Sequence, residues 1–190
     1  MCIRDRLNEV TGLVEWPVAL RGSFDQSFLD VPAQALISAM KTHQKYFHIT
    51  DQKTGALLPA FITVANIESQ QPSEVIAGNE RVIRPRLSDA AFFFANDKQT
   101  AMSSRRDRLS SVIFQRELGS LLDKTQRMET LAGLLAEATN ADSDITTRAA
   151  ALAKCYLVSE MVLEFPELQG VAGAHYARHY GEPDRVANAI

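Results

Sequence analysis

Apolar and polar residues follow two different spacings along this chain. The segment Leu7–Leu20 alternates loosely and predicts short strands, with Pro17 at an edge or a turn. Residues 46–50 and 57–66 are rich in β-branched and aromatic side chains and flank a turn sequence at 51–55, which predicts a β-hairpin. The second of these runs alternates little, which is typical of a strand in the interior of its sheet.

Helical spacing appears first over residues 32–43, where Pro32 stands at a first helical position. A second helix is predicted to open at Pro72 and to run to about Asn96, with Pro85 kinking or restarting it. From residue 97 onward the apolar positions predict helices over 118–138, from Ser143 or Asp144 to about Phe165, and over 169–180.

The stretch Gly78–Lys98 lies where the pattern changes. It combines three arginines, a proline and the apolar block 92–94, which we expect to anchor a core. Residues 112–114 are expected to return the chain to the core. Gly78 within a helical pattern indicates either the close approach of another backbone or ligand, or a weak point in the helix. We therefore predict an α+β protein, with a mixed portion over 7–84 and a helical portion over 85–190.

The composition limits the classes of protein to which this chain could belong. The 190 residues are 46% hydrophobic and 23% charged, which is globular, and the net charge of −3 excludes a dedicated basic nucleic-acid-binding domain. No apolar run could span a membrane. Cys2 and Cys155 have no disulfide or zinc spacing, which favours reduced thiols in the cytoplasm. Residues 1–6 match nothing that follows and are expected to be a non-native leader, and the pattern at 184–190 indicates an internal fragment.

The sequence contains no self-sufficient active site. His175 and His179 share a helical face, but Arg178 between them opposes a cation. His43 and His48 flank a helix-to-strand junction with neither a nucleophile nor an orienting carboxylate nearby. Phosphate-loop, dinucleotide-binding, nucleophile-elbow and kinase motifs are all absent from the sequence.

Basic residues form local clusters on this acidic chain. Such clusters either contact the phosphates of a nucleic acid or pair with the neighbouring acids Glu74, Glu80, Asp89, Asp97 and Asp107. The candidate nucleic-acid contacts are Lys41, His43, Lys45, Arg81, Arg84, Arg86, Arg105, Arg106 and Arg108.

Four segments occur in an order that is typical of one family. They are Thr42–Phe47, Phe61–Ile67, Gly78–Leu87 and Glu164–Gly170. Together they closely resemble the β subunit of bacterial tetrameric glycyl-tRNA synthetase, and the similarity covers nearly all of Leu7–Ile190.

The resemblance implies a fragment of one subunit of an α2β2 glycine–tRNA ligase. In that family the α subunit carries the catalytic site for glycine, ATP and Mg²⁺, and the β subunit recognises tRNA(Gly). This fragment would bind no cofactor, contain no catalytic residue, contact the α subunit and tRNA, and work in the cytoplasm. Residues 7–84 would be the end of a B3/B4-like domain, and residues 85–190 would be a truncated helical domain of the HD superfamily.

The chain departs from the HD pattern because it contains no His-Asp dipeptide. Tyr156 and Tyr180 also stand where the family more usually has an acidic residue. Two alternatives stay open: an HD-type metal-dependent phosphohydrolase, or a purely structural module that assembles with the α subunit.

Overall fold

A computed structural model describes residues 3–190, apart from the side chain of His43. The chain divides into two compact units, unit 1 extending to Phe92 and unit 2 comprising Phe93–Ile190. Helices predominate and both sheets are small, so the class is α+β. The predicted boundary at residues 84 and 85 lies inside helix α3 (Pro72–Asp97).

Unit 1 begins with helix α1 (Ile3–Leu13), and strand β1 (Val18–Ser23) follows. The prediction of strands from Leu7 is therefore wrong before Val18. Arg6 and Val10 are buried, and their separation of four residues places them on one helical face. Residues 3–6 form the start of α1, whereas residues 1 and 2 lie outside the described part, and a non-native leader stays a prediction.

The sheet of unit 1 contains the predicted hairpin. Strands β2 (Phe47–Thr50) and β3 (Leu57–Ala65) pair antiparallel, and the order β1-β3-β2 makes β3 the central strand. At the turn, the carboxylate of Asp51 accepts hydrogen bonds from the backbone nitrogens of Lys53 and Thr54. Both the hairpin and the interior position of its second strand are confirmed.

Helix α2 (Ala33–Gln44) confirms the first predicted helix, and Pro32 immediately precedes it. Its apolar positions are buried as the spacing indicated: Ala35, Leu36, Ala39 and Met40. The helix ends at Lys45, whose φ of 57° is left-handed and whose backbone N–H bonds back to the carbonyl of Lys41.

Helix α3 continues without interruption through Pro85, contrary to a restart there. Proline removes one backbone donor, but Pro85 is exposed, so water can solvate the carbonyl that loses its partner. At Gly78 a Cβ atom would meet nothing within 4 Å, so no other backbone approaches it closely. The expectation of a core block at 92–94 is wrong for Phe92, which is 59% exposed.

Unit 2 starts with the last residues of α3, and two 3₁₀ turns follow, Ser103–Arg105 and Asp107–Ser111. A short hairpin follows, in which strand β4 (Ile113–Gln115) pairs with strand β5 (Gly119–Ser120). The expectation that residues 112–114 return to the core is wrong, because Ile113 is 79% exposed and Phe114 is 40% exposed. Two strands this short form no second layer that could cover these side chains.

Helices α4 (Leu121–Thr139) and α5 (Ser143–Leu152) form an antiparallel pair. Helix α4 confirms the helix predicted over 118–138, but its large apolar side chains are not all buried. Leu131, Leu134 and Leu135 are exposed, whereas Thr125 and Ala136 are buried. Small residues at the contact let α5 pack closely, since a Cβ at Gly133 would lie 3.5 Å from a Thr147 methyl group. The α5 helix is capped by Asp142, one residue before the predicted caps.

The predicted helix to Phe165 is divided in the structure. It comprises α5, a 3₁₀ turn at Cys155–Val158 and helix α6 (Glu160–Glu164), which Ser159 caps. Leu152, Tyr156 and Met161 are buried, as the helical spacing of the apolar residues in this segment predicts. Helices α7 (Val171–His179) and α8 (Asp184–Ala189) complete the unit. Within residues 3–190 no helix is long and apolar enough to cross a membrane.

Candidate nucleic-acid interface

Helix α3 carries two exposed arginines from the predicted basic cluster Arg81, Arg84 and Arg86. Arg81 and Arg84 are three residues apart on the solvent face, while Ile83 and Leu87 on the other face are fully buried. Within the described residues neither of these two arginines forms an ion pair. Their neighbour Glu80 instead accepts hydrogen bonds from the backbone nitrogen and hydroxyl of Ser23, both at 2.8 Å.

The remaining member of this cluster, Arg86, is half-buried. Arg84 lies near Asp25, and its charge contributes to a lowered pKa of that carboxyl after the larger effect of hydrogen bonds from Ser27. Although Asp25 keeps its charge near Arg84, the Arg84 guanidinium is exposed and can be reached by another anion. Helix α3 therefore presents two cations to solvent from a rigid element.

The cluster at the end of α2 is less exposed than the sequence suggested. Lys45 Nζ pairs with Glu9 Oε1 at 2.8 Å, and Lys41 is half-buried. The side chain of His43 lies outside the described part of the structure. Burial, with the charges of Arg6 and Lys41, lowers the pKa of His48 and keeps it neutral near pH 7.

The third cluster is divided by the fold of unit 2. Arg105 is only 1% exposed and donates hydrogen bonds through Nη2 to the backbone oxygen and Oδ1 of Asp97, at 2.5 and 3.1 Å. A buried guanidinium cannot reach an external phosphate, so the candidate surface has to exclude Arg105. The alternative that Asp97 neutralises a neighbouring arginine is confirmed for this residue.

Asp97 connects several elements of unit 2. Its carboxylate accepts hydrogen bonds from the backbone nitrogens of Glu160 and Met161 at 3.0 and 2.9 Å, and from Tyr176 Oη at 2.7 Å. Burial, followed by the hydrogen bond to Asp97, raises the pKa of the Tyr176 phenol. The cluster fixes the start of α6 and shows no opening to solvent, so its role is structural.

Arg106 and Arg108 lie on either side of Asp107. Arg106 Nη2 pairs with Glu129 Oε1 at 2.5 Å and is partly buried, whereas Arg108 is exposed. Within the described residues Arg108 forms no ion pair. The nearby thiol of Cys155 is buried, which raises its pKa to about 11 despite the positive charges of Arg106 and Arg105.

The two tyrosines that depart from the family pattern have different environments. Tyr156 is 5% exposed and packs within the unit 2 core, with Lys154 Nζ 5.9 Å from its ring centroid. Tyr180 is 37% exposed, and its hydroxyl donates a hydrogen bond to the backbone oxygen of Lys98. Neither site requires an acidic side chain for the contacts that the structure describes.

The histidine pair offers no metal centre. His175 is half-buried, and its pKa is lowered by burial and by the charge of Arg178, while His179 packs edge-on against Tyr180. Among residues 3–190 the structure groups no three His, Cys, Asp or Glu side chains that could hold a metal ion. The phosphohydrolase alternative gains no support from this unit.

Sequence reasoning missed a basic and aromatic surface around the β4–β5 hairpin. Phe114 is 40% exposed, and Lys124 Nζ lies 3.9 Å from its ring centroid. Arg116 and Arg127 are exposed on the hairpin turn and on α4. The sequence does contain an indication of this surface, because basic residues continue beyond Arg108. The expectation that 112–114 lie in the core led us to overlook it.

Comparison with known proteins supplies the family. The family described as glycyl-tRNA synthetase beta subunit matches residues 3–190. Relatives named glycine–tRNA ligase beta subunit include those of Chromohalobacter salexigens, 60% identical, and Marinobacter nauticus, 56% identical, each over 186 residues. The relative from Azotobacter vinelandii is 55% identical over the same length.

These alignments cover nearly all of this chain but a small part of each relative. They include 98% of the chain and 27% of each of those three relatives, so the chain spans about a quarter of their length. Identity above 50% over this length leaves no doubt about common descent, and the family matches from α1 to α8. The chain therefore belongs to the glycyl-tRNA synthetase beta subunit family.

Proposed function

We propose that this chain acts as part of the β subunit of a glycine–tRNA ligase, in the ATP-dependent attachment of glycine to tRNA(Gly). The observation that carries the proposal is the family match over residues 3–190. In this role the chain binds tRNA(Gly) and associates with an α subunit in an α2β2 tetramer in the cytoplasm. Glycine, ATP and Mg²⁺ are used by the α subunit.

The proposal extends to the two units. Unit 1 corresponds to the end of a B3/B4-like domain, in line with its antiparallel sheet and flanking helices. Unit 2 corresponds to an HD-like domain that has lost its metal chemistry, in line with its helical content and with the missing His-Asp dipeptide. Both units then serve as scaffold and binding surface.

The arginines exposed on each unit supply the proposed tRNA contacts. Arg81 and Arg84 on α3, and Arg108 before the β4–β5 hairpin, are exposed and form no ion pair within the described residues. Free guanidinium groups contact phosphates without reading sequence, which suits recognition of a folded RNA by shape. Arg86, Lys41, His43 and Lys45 are secondary candidates, and Arg106 is committed to Glu129.

The test is a salt-dependent titration of the chain with labelled tRNA(Gly) and with an unrelated tRNA. We expect binding that weakens as salt rises, because each phosphate contact releases counterions. The variant Arg81→Glu with Arg84→Glu should bind more weakly and with a flatter salt dependence. A matched control changes two exposed cations of the same unit, Arg21→Glu with Lys53→Glu, and alters the net charge equally.

Capture of the chain by the α subunit of a relative is measured in parallel. Retained capture with lost tRNA binding in the Arg81 and Arg84 variant separates the two roles. If the folded chain binds no tRNA at low salt but is captured by the α subunit, the tRNA part of the proposal is wrong and the chain is an assembly module. Equal losses in the control variant would show an effect of net charge alone.

A further inference from the structure

The β4–β5 hairpin of unit 2 exposes apolar side chains beside a concentration of basic ones. Ile113, Phe114 and Leu118 are 79%, 40% and 53% exposed. We define the hairpin patch as Phe114 together with the basic residues around it in sequence: Arg108, Arg116, Lys124 and Arg127. Neighbouring apolar side chains that stay exposed beside polar ones are a feature of interaction sites.

Charge is concentrated here although the chain as a whole is acidic. Residues 103–127 include six basic and three acidic side chains, in a chain of net charge −3. Two of the six, Arg105 and Arg106, are committed to Asp97 and Glu129. The other four belong to the hairpin patch, and within the described residues none of them forms an ion pair.

The acidic side chains near the patch are partly committed to the fold. Asp123 accepts hydrogen bonds from the backbone nitrogen and hydroxyl of Ser120, both at 2.7 Å. These bonds lower the pKa of Asp123, with a smaller contribution from Arg127. The carboxylate is thus held at the start of α4, where it offsets only part of the positive charge of the four cations.

Hydrogen bonds close the turn of the hairpin that carries Phe114. Gln115 Oε1 accepts hydrogen bonds from the backbone nitrogens of Glu117 and Leu118 at 2.6 and 2.9 Å, which closes the turn. Gly119 has a φ of 86°, and a Cβ there would collide with the Asp123 carboxylate. Preorganisation of this kind lowers the entropy that binding has to overcome.

The geometry of Phe114 and Lys124 suits a nucleotide. The ammonium group lies 3.9 Å from the ring centroid, and the ring remains partly open to solvent. Because Lys124 lies over one face of the ring, a base would stack on the other face, and the ammonium group would neutralise an adjoining phosphate. Arg116 on the hairpin turn and Arg127, three residues after Lys124 on α4, are further exposed cations close to Phe114 and Lys124 in sequence.

We infer that the hairpin patch binds a run of unpaired nucleotides in RNA, with a base stacked on Phe114 and phosphates contacted by the surrounding cations. The inference rests on the proposed role in tRNA binding and identifies which part of an RNA this surface recognises. A paired base offers no free face to a side chain, so an aromatic platform discriminates in favour of single strands. The centres of protein interfaces are depleted of lysine, whereas Lys124 lies directly over this ring.

The test uses the chain and two labelled RNA probes, a short single-stranded oligonucleotide and a fully paired duplex of similar length. We expect tighter binding of the single strand. Phe114→Ala should weaken that binding roughly tenfold, the effect of losing one stacked base, and should change duplex binding little. Phe114→Tyr should retain the affinity, whereas Phe114→Leu, which keeps the apolar volume, should not.

A matched control is Phe92→Ala, which removes a phenylalanine of unit 1 that is 59% exposed. Circular dichroism checks that each variant is folded, and Arg116→Ala on the hairpin turn provides a second variant whose side chain is exposed. We expect Arg116→Ala to weaken single-strand binding and to flatten its salt dependence.

Two results would overturn the inference and leave tRNA binding by the chain intact. One is tRNA(Gly) binding with no preference for the single strand, and the other is equal affinity in the Phe114→Ala and Phe92→Ala variants. Unchanged RNA binding by Phe114→Ala with weaker capture by the α subunit would show that the hairpin patch is a protein contact. Absence of all salt-sensitive RNA binding would overturn both the inference and the proposed tRNA role.

Discussion

Tyr176 donates a hydrogen bond through its hydroxyl to Asp97 Oδ2 at 2.7 Å, although the two residues are 79 positions apart in the chain. The same carboxylate accepts the backbone N–H groups at the start of α6 and pairs with Arg105. The ring of Tyr176 in turn lies 5.2 Å from the Arg105 guanidinium. One buried carboxylate thus connects the end of α3, a 3₁₀ turn, α6 and α7.

Replacement of Asp97 by alanine should destabilise the chain strongly. The change leaves the Arg105 guanidinium, which is 1% exposed, buried without a counter-charge, and it removes the acceptor of three further hydrogen bonds. Breaking a buried pair from one side costs roughly 3–5 kcal/mol of unfolding free energy. Urea denaturation followed by circular dichroism measures the loss.

The control for this experiment removes both charges. The variant Asp97→Asn with Arg105→Met has no buried uncompensated charge, so it should recover part of the stability lost in Asp97→Ala. A double variant as unstable as Asp97→Ala would show that the hydrogen bonds to α6, and not the ion pair, dominate the stabilisation.

Stability should fall in alkaline solution because of Cys155. Its pKa rises from 9.0 in the unfolded chain to about 11 in the folded one, so folding favours the neutral thiol. The contribution is complete below pH 9.0 and is lost as the pH rises to about 11, since only the unfolded chain then gains by ionising. Cys155→Ala should show a flatter decline across this interval in urea midpoints measured at several pH values.

The same burial predicts the chemical behaviour of Cys155. A thiol that is 0% exposed and mostly protonated at neutral pH should react slowly with a thiol reagent in the folded chain and rapidly in urea. Rapid modification without denaturant would show that the 3₁₀ turn at 155–158 opens readily, and the burial argument would then be wrong.

The elements of unit 1 that could be predicted are those with strong local signals. The turn at 51–55 and the β-branched runs beside it are sufficient to specify the hairpin, because the residues that form it are neighbours in sequence. Helix α1 could not be recognised, because its buried residues include Arg6, whose burial depends on the carbonyl of Tyr46, 40 positions away. Periodicity that counts apolar residues misses such a position.

Prediction of the candidate site was limited in the same way. Arg105, Arg106 and Arg108 are alike in sequence, but the fold buries the first, pairs the second with Glu129 and exposes the third. Which arginine has an acidic partner depends on helix packing that brings Asp97 or Glu129 close. Phe114 was assigned to the core because a hydrophobic run predicts burial, and no sequence pattern revealed that the hairpin is too short to be covered.

Gly22→Ala should destabilise unit 1. Gly22 faces Phe61 across strands β1 and β3, and three atoms of the Phe61 ring would lie within 3.0 Å of a new Cβ. The ring cannot move aside easily because it is fully buried and stacked on Tyr46 with centroids 4.6 Å apart. We expect a loss of about 1–3 kcal/mol in unfolding free energy, as for other overpacked cores. An unchanged midpoint in thermal unfolding would contradict this role for glycine.

Gly78→Ala should have the opposite effect. Gly78 lies inside α3, and a Cβ there would meet no atom within 4 Å. Alanine lowers the entropy of the unfolded chain and favours the helix, so the gain should be about 0.5–1 kcal/mol. The same denaturation experiment measures it. A loss of stability would contradict this prediction, and a loss of tRNA binding without any loss of stability would indicate that a ligand approaches this backbone.

The variants Arg108→Glu and Arg105→Ala should have different effects, because one arginine is exposed and the other is buried. Arg108 is exposed, so its replacement should leave the unfolding midpoint nearly unchanged and weaken tRNA(Gly) binding. Because one phosphate contact contributes a salt-dependence slope of about 0.7–0.9, loss of that contact should flatten the slope by this amount. Arg105→Ala should lower the midpoint, because Asp97 then lacks its buried partner, yet should not flatten the slope in the folded fraction. Flattening by Arg105→Ala at temperatures where the variant is fully folded would mean that the buried cluster opens to RNA.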